Sequence, residues 1–324
     1  MHDVVAFLKD AVKRGAGAMG VQNCYLSDGA MVRAANDVLH AGIDWPSGAV
    51  FALPADAVDA FLSRVDDVKS IDVNERAVVL KSGRLRSSID LRHDEPEPAP
   101  PLPEEWNPVP ATFVTALKIA QGFTDPTATG NRLWQSAVRI WSGRVTACNG
   151  RCLVDIDVGN LPMEDPKLLG KAAVDFLVTQ GNPDEFGTDK NTITFRWDDG
   201  RWVRCQVVNT EMSEANLVGI FSKVGTETPC TIDEGFRVAY ADAAALSDNT
   251  IGLTETGFRA VKENIRSDVE VESDLPEGHS SQWGTKDLGI VLGVATAWNP
   301  AAYPDVPALF VGPMMRGVIV GLKS

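Results

Sequence analysis

Few residues in this chain are spaced for covalent or metal chemistry. The only close cysteine pair, Cys148-x-x-x-Cys152, has no second pair beside it, and the histidines (His2, His40, His93, His279) are dispersed, with no His-x-x-x-His spacing. A closed zinc site needs four converging ligands, so no metal site is expected. There is no Gly-x-Ser-x-Gly elbow and no Walker phosphate loop. The acid pairs Asp66-Asp67 and Asp198-Asp199 fall at a helix end and a turn, where solvated carboxylates are the simplest reading. Trp134, Trp141, Trp197 and Trp202 could stack sugars or bases, but their strand context points to mixed core and edge packing. The expectation is a non-enzyme with no catalytic residue, cofactor or metal. A hydrolase assembled from dispersed residues is the minor competing reading.

The five cysteines, Cys24, Cys148, Cys152, Cys205 and Cys230, are odd in number and scattered, which fits reduced thiols and a cytoplasmic location. No run approaches the roughly 18–20 apolar residues of a membrane span, so no membrane partner is expected. The opening, MHDVVAFLKDAVKRG, reads as an amphipathic helix and not a signal peptide. A formal charge of −14 argues against a surface coated for nucleic acid, yet leaves room for cations gathered on one face.

The elements that would hold these residues recur three times. Cys24–Asp44, Val138–Val158 and Ile251–Val271 each contain a β-rich run, a turn glycine, a second run ending at Asn and a third run carrying aliphatics and acids. The glycines Gly29, Gly143 and Gly257 are spaced by 114 residues, and Asn36, Asn149 and Asn264 by 113 and 115. Such a period is the size of a small domain and too long for a solenoid unit. Each copy starts with a helix (Asp3–Arg14, Ala111–Phe123, Glu234–Leu246) and has a second one after the strands (Pro54–Val65, Pro166–Val178, Lys286–Trp298). Pro54 and Pro166 would open two of the second helices, and Thr285 would cap the third. Each copy then closes with a β-rich hairpin, in Ile71–Leu91, Thr192–Val208 and Ala308–Leu322. The expected domains are 1–95, 107–224 and 229–324. The Pro- and acid-rich linker, 96–106, would be an extended tether.

These residues resemble one family, the bacterial DNA polymerase III beta subunit or sliding clamp. Phe51-Ala-Leu-Pro-Ala55 with Val79-Leu-Lys-Ser-Gly-Arg84 and Ile89-Asp-Leu91 is similar to the family's first-domain pattern. Val145-Thr-Ala-Cys-Asn-Gly-Arg-Cys-Leu153 resembles its Ala-Thr-Asp-Gly-His-Arg-Leu turn, and Ala243-Ala-Ala-Leu-Ser-Asp248 its third-domain helix end. The chain departs from the pattern in a short opening, in Asn149 for the usual Asp, in Met212-Ser213-Glu214 and in the C-terminal Gly317–Ser324. These departures fit a divergent, phage-encoded member.

The resemblance implies an α+β clamp fold of three tandem domains, closing as a head-to-tail homodimeric ring around duplex DNA without reading its sequence. The cations expected to face DNA are Lys9, Lys13, Arg14, Lys118, Arg132, Lys167, Lys171, Arg237 and Lys286. DNA polymerase and clamp loader would dock short peptides between the second and third domains. The matching groove residues are Leu133, Gly150, Arg151, Cys152, Leu153, Leu217, Val218, Val318, Val320 and Leu322. The alternative from another class is a non-catalytic structural or assembly protein, such as a phage component, that uses the repeat as scaffold.

Overall fold

Alternating apolar residues and tight turns build antiparallel sheets throughout the chain. The computed structural model describes residues 6–11, 24–28, 31–35, 38–44, 50–65, 68–91, 101–210, 219–262 and 265–322. Two compact units emerge, Met1–Val114 with Leu161–Met163 and Leu169–Asn209, and Thr115–Asn160 with Glu164–Leu168 and Thr210–Ser324.

In the first unit an eight-stranded sheet runs Val50–Pro54, Cys24–Asp28, Met31–Ala35, Leu39–Asp44, Arg201–Gln206, Thr192–Arg196, Glu185–Thr188, Asn107–Pro108. A separate three-stranded sheet holds Ser70–Val73, Ala77–Ser82 and Leu85–Asp90. Helix α1 (6–11) buries Phe7, Leu8 and Ala11, and Phe7 meets Phe176 and Trp197 edge-on with centroids 5.2 and 5.7 Å away. Helix α2 (Ala55–Leu62) buries Ala55, Val58, Phe61 and Leu62, the spacing of one helical stripe.

Helix α3 (Phe113–Gly122) begins with Phe113 against Phe195. Helix α4 (Lys171–Gln180) buries Ala173, Val174, Phe176 and Leu177 and stops at Gly181, whose φ of 85° suits glycine.

The second unit repeats the plan. Its larger sheet runs Lys167–Gly170, Ala137–Trp141, Arg144–Cys148, Cys152–Asp157, Met315–Ile319, Ala308–Gly312, Ala297–Trp298, Cys230–Thr231. A four-stranded sheet runs Ile265–Glu270, Gly257–Lys262, Thr250–Thr254, Ser280–Gly284. Helix α5 (Glu234–Ala245) is capped by Asp233, whose carboxylate accepts from the Phe236 amide at 2.8 Å. Helix α6 (Thr285–Leu292) buries Leu288, Val291 and Leu292. Trp283, Trp298, Phe236 and Phe258 form an aromatic core between these helices and the sheets.

Several expected boundaries move. Pro166 does not open a helix: Lys167–Gly170 is drawn into a sheet first, and α4 starts at Lys171. Pro54 ends a strand and stands at the α2 N-cap. Gly284 occupies the α6 N-cap, while Thr285 is the first helical residue. That helix ends at Leu292, because Ala297–Trp298 is claimed by a sheet. The described part of the linker is also docked. Arg204 donates to the Pro101 carbonyl, Arg196 stacks on Trp106 at 4.0 Å, and Asn107–Pro108 adds the edge strand beside Glu185–Thr188.

Candidate interaction surfaces

The turn at 149–151 is built by one side chain. Asn149 Oδ1 accepts from the amides of Arg151 (2.9 Å) and Cys152 (2.8 Å), and its Nδ2 donates to Asp287 Oδ1 at 3.1 Å. Gly150 sits at φ 91°, and a Cβ there would press on the Gln135 side chain at 3.2 Å. The turn thereby lies against Gln135 of the 3₁₀ segment Gly130–Ser136 on one side and is hydrogen-bonded to the start of α6 on the other. Arg151 reaches Asp287 at 3.6 Å, and its carbonyl accepts from the Val320 amide at 2.9 Å. Leu322 follows, its amide donating to Gln282. Leu133, Gly150, Arg151 and Val320 are exposed around this turn, and Leu322 is half-buried. Cys152, Leu153 and Val318 are buried in the strands and present no side-chain surface. Leu217 and Val218 lie outside the described residues.

Nearby, Asp125 is held below the usual carboxylate range by the Thr127 hydroxyl and amide, with Arg132 and Lys286 adding to the effect. Arg132 and Lys286 therefore share one neighbourhood next to the turn.

The cations expected to face DNA have diverse surroundings. Lys9 pairs with Asp59 at 2.9 Å and Lys171 with Asp175 at 2.8 Å. Arg237 donates to the carbonyls of Leu292 (3.0 Å) and Ala295 (2.9 Å), so it caps the end of α6. Lys167 is buried in its strand, which removes it from any exposed basic face. Lys118, Arg132 and Lys286 are exposed. Lys13 and Arg14 lie outside the described residues. Across the described parts of α1 to α6 there are five cations and seven carboxylates.

A third feature was missed from sequence. Asp155 lies between two guanidinium groups, accepting from Arg144 on one strand and from Arg316 Nε at 3.4 Å on the next. Arg316 also covers the Phe221 ring at 4.3 Å. The signal available in sequence was only an Asp and an Arg in facing β-runs far apart in the chain.

No group of His, Cys, Asp or Glu able to hold a metal is found among the described residues. Trp197 and Trp202 are buried, Trp134 and Trp141 half-buried, and Arg139 lies over Trp141.

The chain can be superposed along its whole length on solved structures. A DNA polymerase sliding clamp from Pseudomonas aeruginosa, crystallised with a ligand, matches with a TM-score of 0.78 at 14% identity, covering 100% of this chain and 98% of that one. The Helicobacter pylori beta clamp bound to a DNA ligase peptide gives 0.78 at 13% identity over 99% and 97%. The sliding clamp from Bacillus subtilis gives 0.78 at 12% identity over 100% and 97%. The fold is that of the sliding clamps. No family model matches the sequence, and no curated protein does. The clamp fold is thus present at 12–14% residue identity, as is possible when packing volume and pattern are kept while side chains differ. Among the described residues no helix is long and apolar enough to cross a membrane.

Proposed function

We propose that this chain is a DNA polymerase processivity clamp, a divergent and phage-encoded one, with three domains at 1–95, 107–224 and 229–324. Two chains close head to tail around duplex DNA. One observation carries the reading. The strand Leu39–Asp44 is joined edge to edge by Arg201–Gln206, and 113 residues later Cys152–Asp157 is joined in the same way by Met315–Ile319. The next strand in this series is Ile265–Glu270, and among the described residues it is a sheet edge, as is Leu85–Asp90, the closing strand of the first copy. Each chain therefore ends in the two halves of one further join, and a second copy supplies the missing half at both ends. Repetition of one heterologous contact makes a ring when the rotation closes. Pairing would also cover exposed Leu85 and Ile265.

Retention on DNA then follows from topology. The mixed helix charge leaves few phosphate contacts, which suits sliding without grip. Partner peptides of polymerase and clamp loader would dock beside the 149–151 turn, against Leu133, Gly150, Arg151, Val320 and Leu322. The peptide-bound Helicobacter clamp supports this reading. The protein acts without catalysis, in the cytoplasm.

The same charge mixture favours the scaffold alternative, and one experiment separates the two. Light scattering gives the solution mass, and clamp loaded on nicked circular DNA is then challenged by linearisation. A dimer of twice 34.8 kDa that survives on circles and runs off linear ends supports the clamp. A monomer without topological retention supports the scaffold.

A further inference from the structure

We propose that Asn149 is a modification site, where the chain converts its own asparagine to aspartate and isoaspartate and so dismantles the 149–151 turn with age. Asn149-Gly150 is the only Asn-Gly pair in the sequence, and it falls in this turn. Glycine leaves the following main-chain nitrogen unshielded, so the side-chain amide can close a five-membered ring upon it. In that step Gly150 N loses its proton and forms a bond to Asn149 Cγ, the Cγ–Nδ2 bond breaks, and ammonia leaves. Water then opens the cyclic imide. Cleavage at Cγ gives aspartate; cleavage at the Asn149 main-chain carbonyl gives isoaspartate, with the chain rerouted through Cβ and Cγ. One water enters and one ammonia departs, so the step needs neither oxidant nor cofactor.

Three contacts of the turn bear on this chemistry. The nucleophile is lightly held, since the Gly150 amide donates to Cys148 Sγ at 3.3 Å and a thiol sulfur is a weak acceptor. The electrophile is polarised. Asn149 Oδ1 gains charge as the nitrogen adds, and it already accepts from the amides of Arg151 at 2.9 Å and Cys152 at 2.8 Å. The leaving group is restrained, because Nδ2 donates to Asp287 Oδ1 at 3.1 Å and Asp287 is itself anchored by Arg151 at 3.6 Å. Gly150 is exposed, so water reaches the bond. Asp287 is thus a positioning residue that guards the site: its loss frees the side chain to turn toward Gly150 N.

The products disturb what the turn holds. Aspartate has no donor for Asp287 and faces it as a second carboxylate. Isoaspartate also adds a carbon to the main chain and displaces the Arg151 carbonyl, which accepts from the Val320 amide at 2.9 Å. Gly150, Arg151 and Val320 then lose their common arrangement. Loss of peptide docking would follow from the reading above; the conversion itself does not depend on that reading.

The full chain, held at neutral and at mildly alkaline pH and then digested with trypsin, tests the site. The Val145–Arg151 peptide is followed by chromatography and mass spectrometry, and isoaspartate by enzymatic methylation. Asn149 should be the first asparagine to convert, and faster at the higher pH. Asp287→Ala should raise the first-order rate about tenfold, the scale of one hydrogen bond to a charged group. Asp287→Asn keeps an acceptor and should stay within about threefold of wild type; this second variant, with circular dichroism on both, keeps a folding defect from deciding the result. Asn149→Gln, whose ring would have six members, should not convert on the same timescale. Hydrogen exchange at the Val320 amide should quicken in the converted fraction. Earlier conversion of any other asparagine would overturn the site. Equal rates in wild type and a folded Asp287→Ala chain would overturn the guard, and unchanged Val320 exchange after conversion would overturn the loss of the turn.

Discussion

Asn149 shows how one side chain can organise a site. The sliding-clamp pattern that this turn resembles has Asp at this place; here the Asn149 amide donates to Asp287, which a second carboxylate would repel. Asn149→Asp should therefore destabilise the chain by about 1–3 kcal/mol at neutral pH, since it removes the donor to Asp287 and sets two carboxylates against each other, with Arg151 at 3.6 Å from Asp287 offsetting only part of the repulsion. Urea unfolding measures this, and an unchanged midpoint would remove the Asp287 link from the account. The buried thiols make a second prediction. Burial pushes Cys148, Cys152 and Cys205 upward and lifts Cys230 to about 11. The unfolded chain releases these protons near pH 8.5 while the folded chain keeps them, so stability is full below that value and falls as pH rises through it. Melting temperature between pH 7 and 10 should decline, and a flat profile would contradict the burial of these thiols.

At the scale of elements, helix ends are held by identifiable groups. Asp233 caps α5 by accepting from the Phe236 amide, and Asp233→Ala should cost about 1 kcal/mol, while Asp233→Asn should cost little. Denaturant midpoints of the two variants would decide it, and equal losses would mean that the charge matters and not the cap. The helices α2 and α5 were legible because their apolar residues recur at helical spacing. The start of α4 was not, because Pro166 is a sound helix opener by local rules and only pairing within the sheet draws Lys167–Gly170 into a strand. Lys167 moved from a supposed basic face to a buried position for the same reason.

For the whole molecule, the open edges predict assembly. Ile265 is 64% exposed on the edge strand Ile265–Glu270. Ile265→Asp should place a charge within the proposed join and convert dimer to monomer, with little effect on the fold of the isolated chain. Light scattering with circular dichroism checks both halves; a variant that stays dimeric would move the interface elsewhere. DNA retention by the proposed ring should vary little with salt until the ring itself opens, because the described helices carry more carboxylates than cations.

The sequence alone determined the repeat, the turn glycines, the α+β character and the resemblance to sliding clamps, because each is a local pattern repeated near every 114 residues. Gly143 was legible in this way, and at φ 77° it is required, since a Cβ would collide with the Gly159 carbonyl. Tertiary structure alone decided which cations are spoken for. Arg237 holds the end of α6, Lys9 and Lys171 are paired, and Asp155 draws Arg316 from across a sheet join. Those partners are separated in sequence by up to 161 residues, and only the register of paired strands brings them within hydrogen-bond reach.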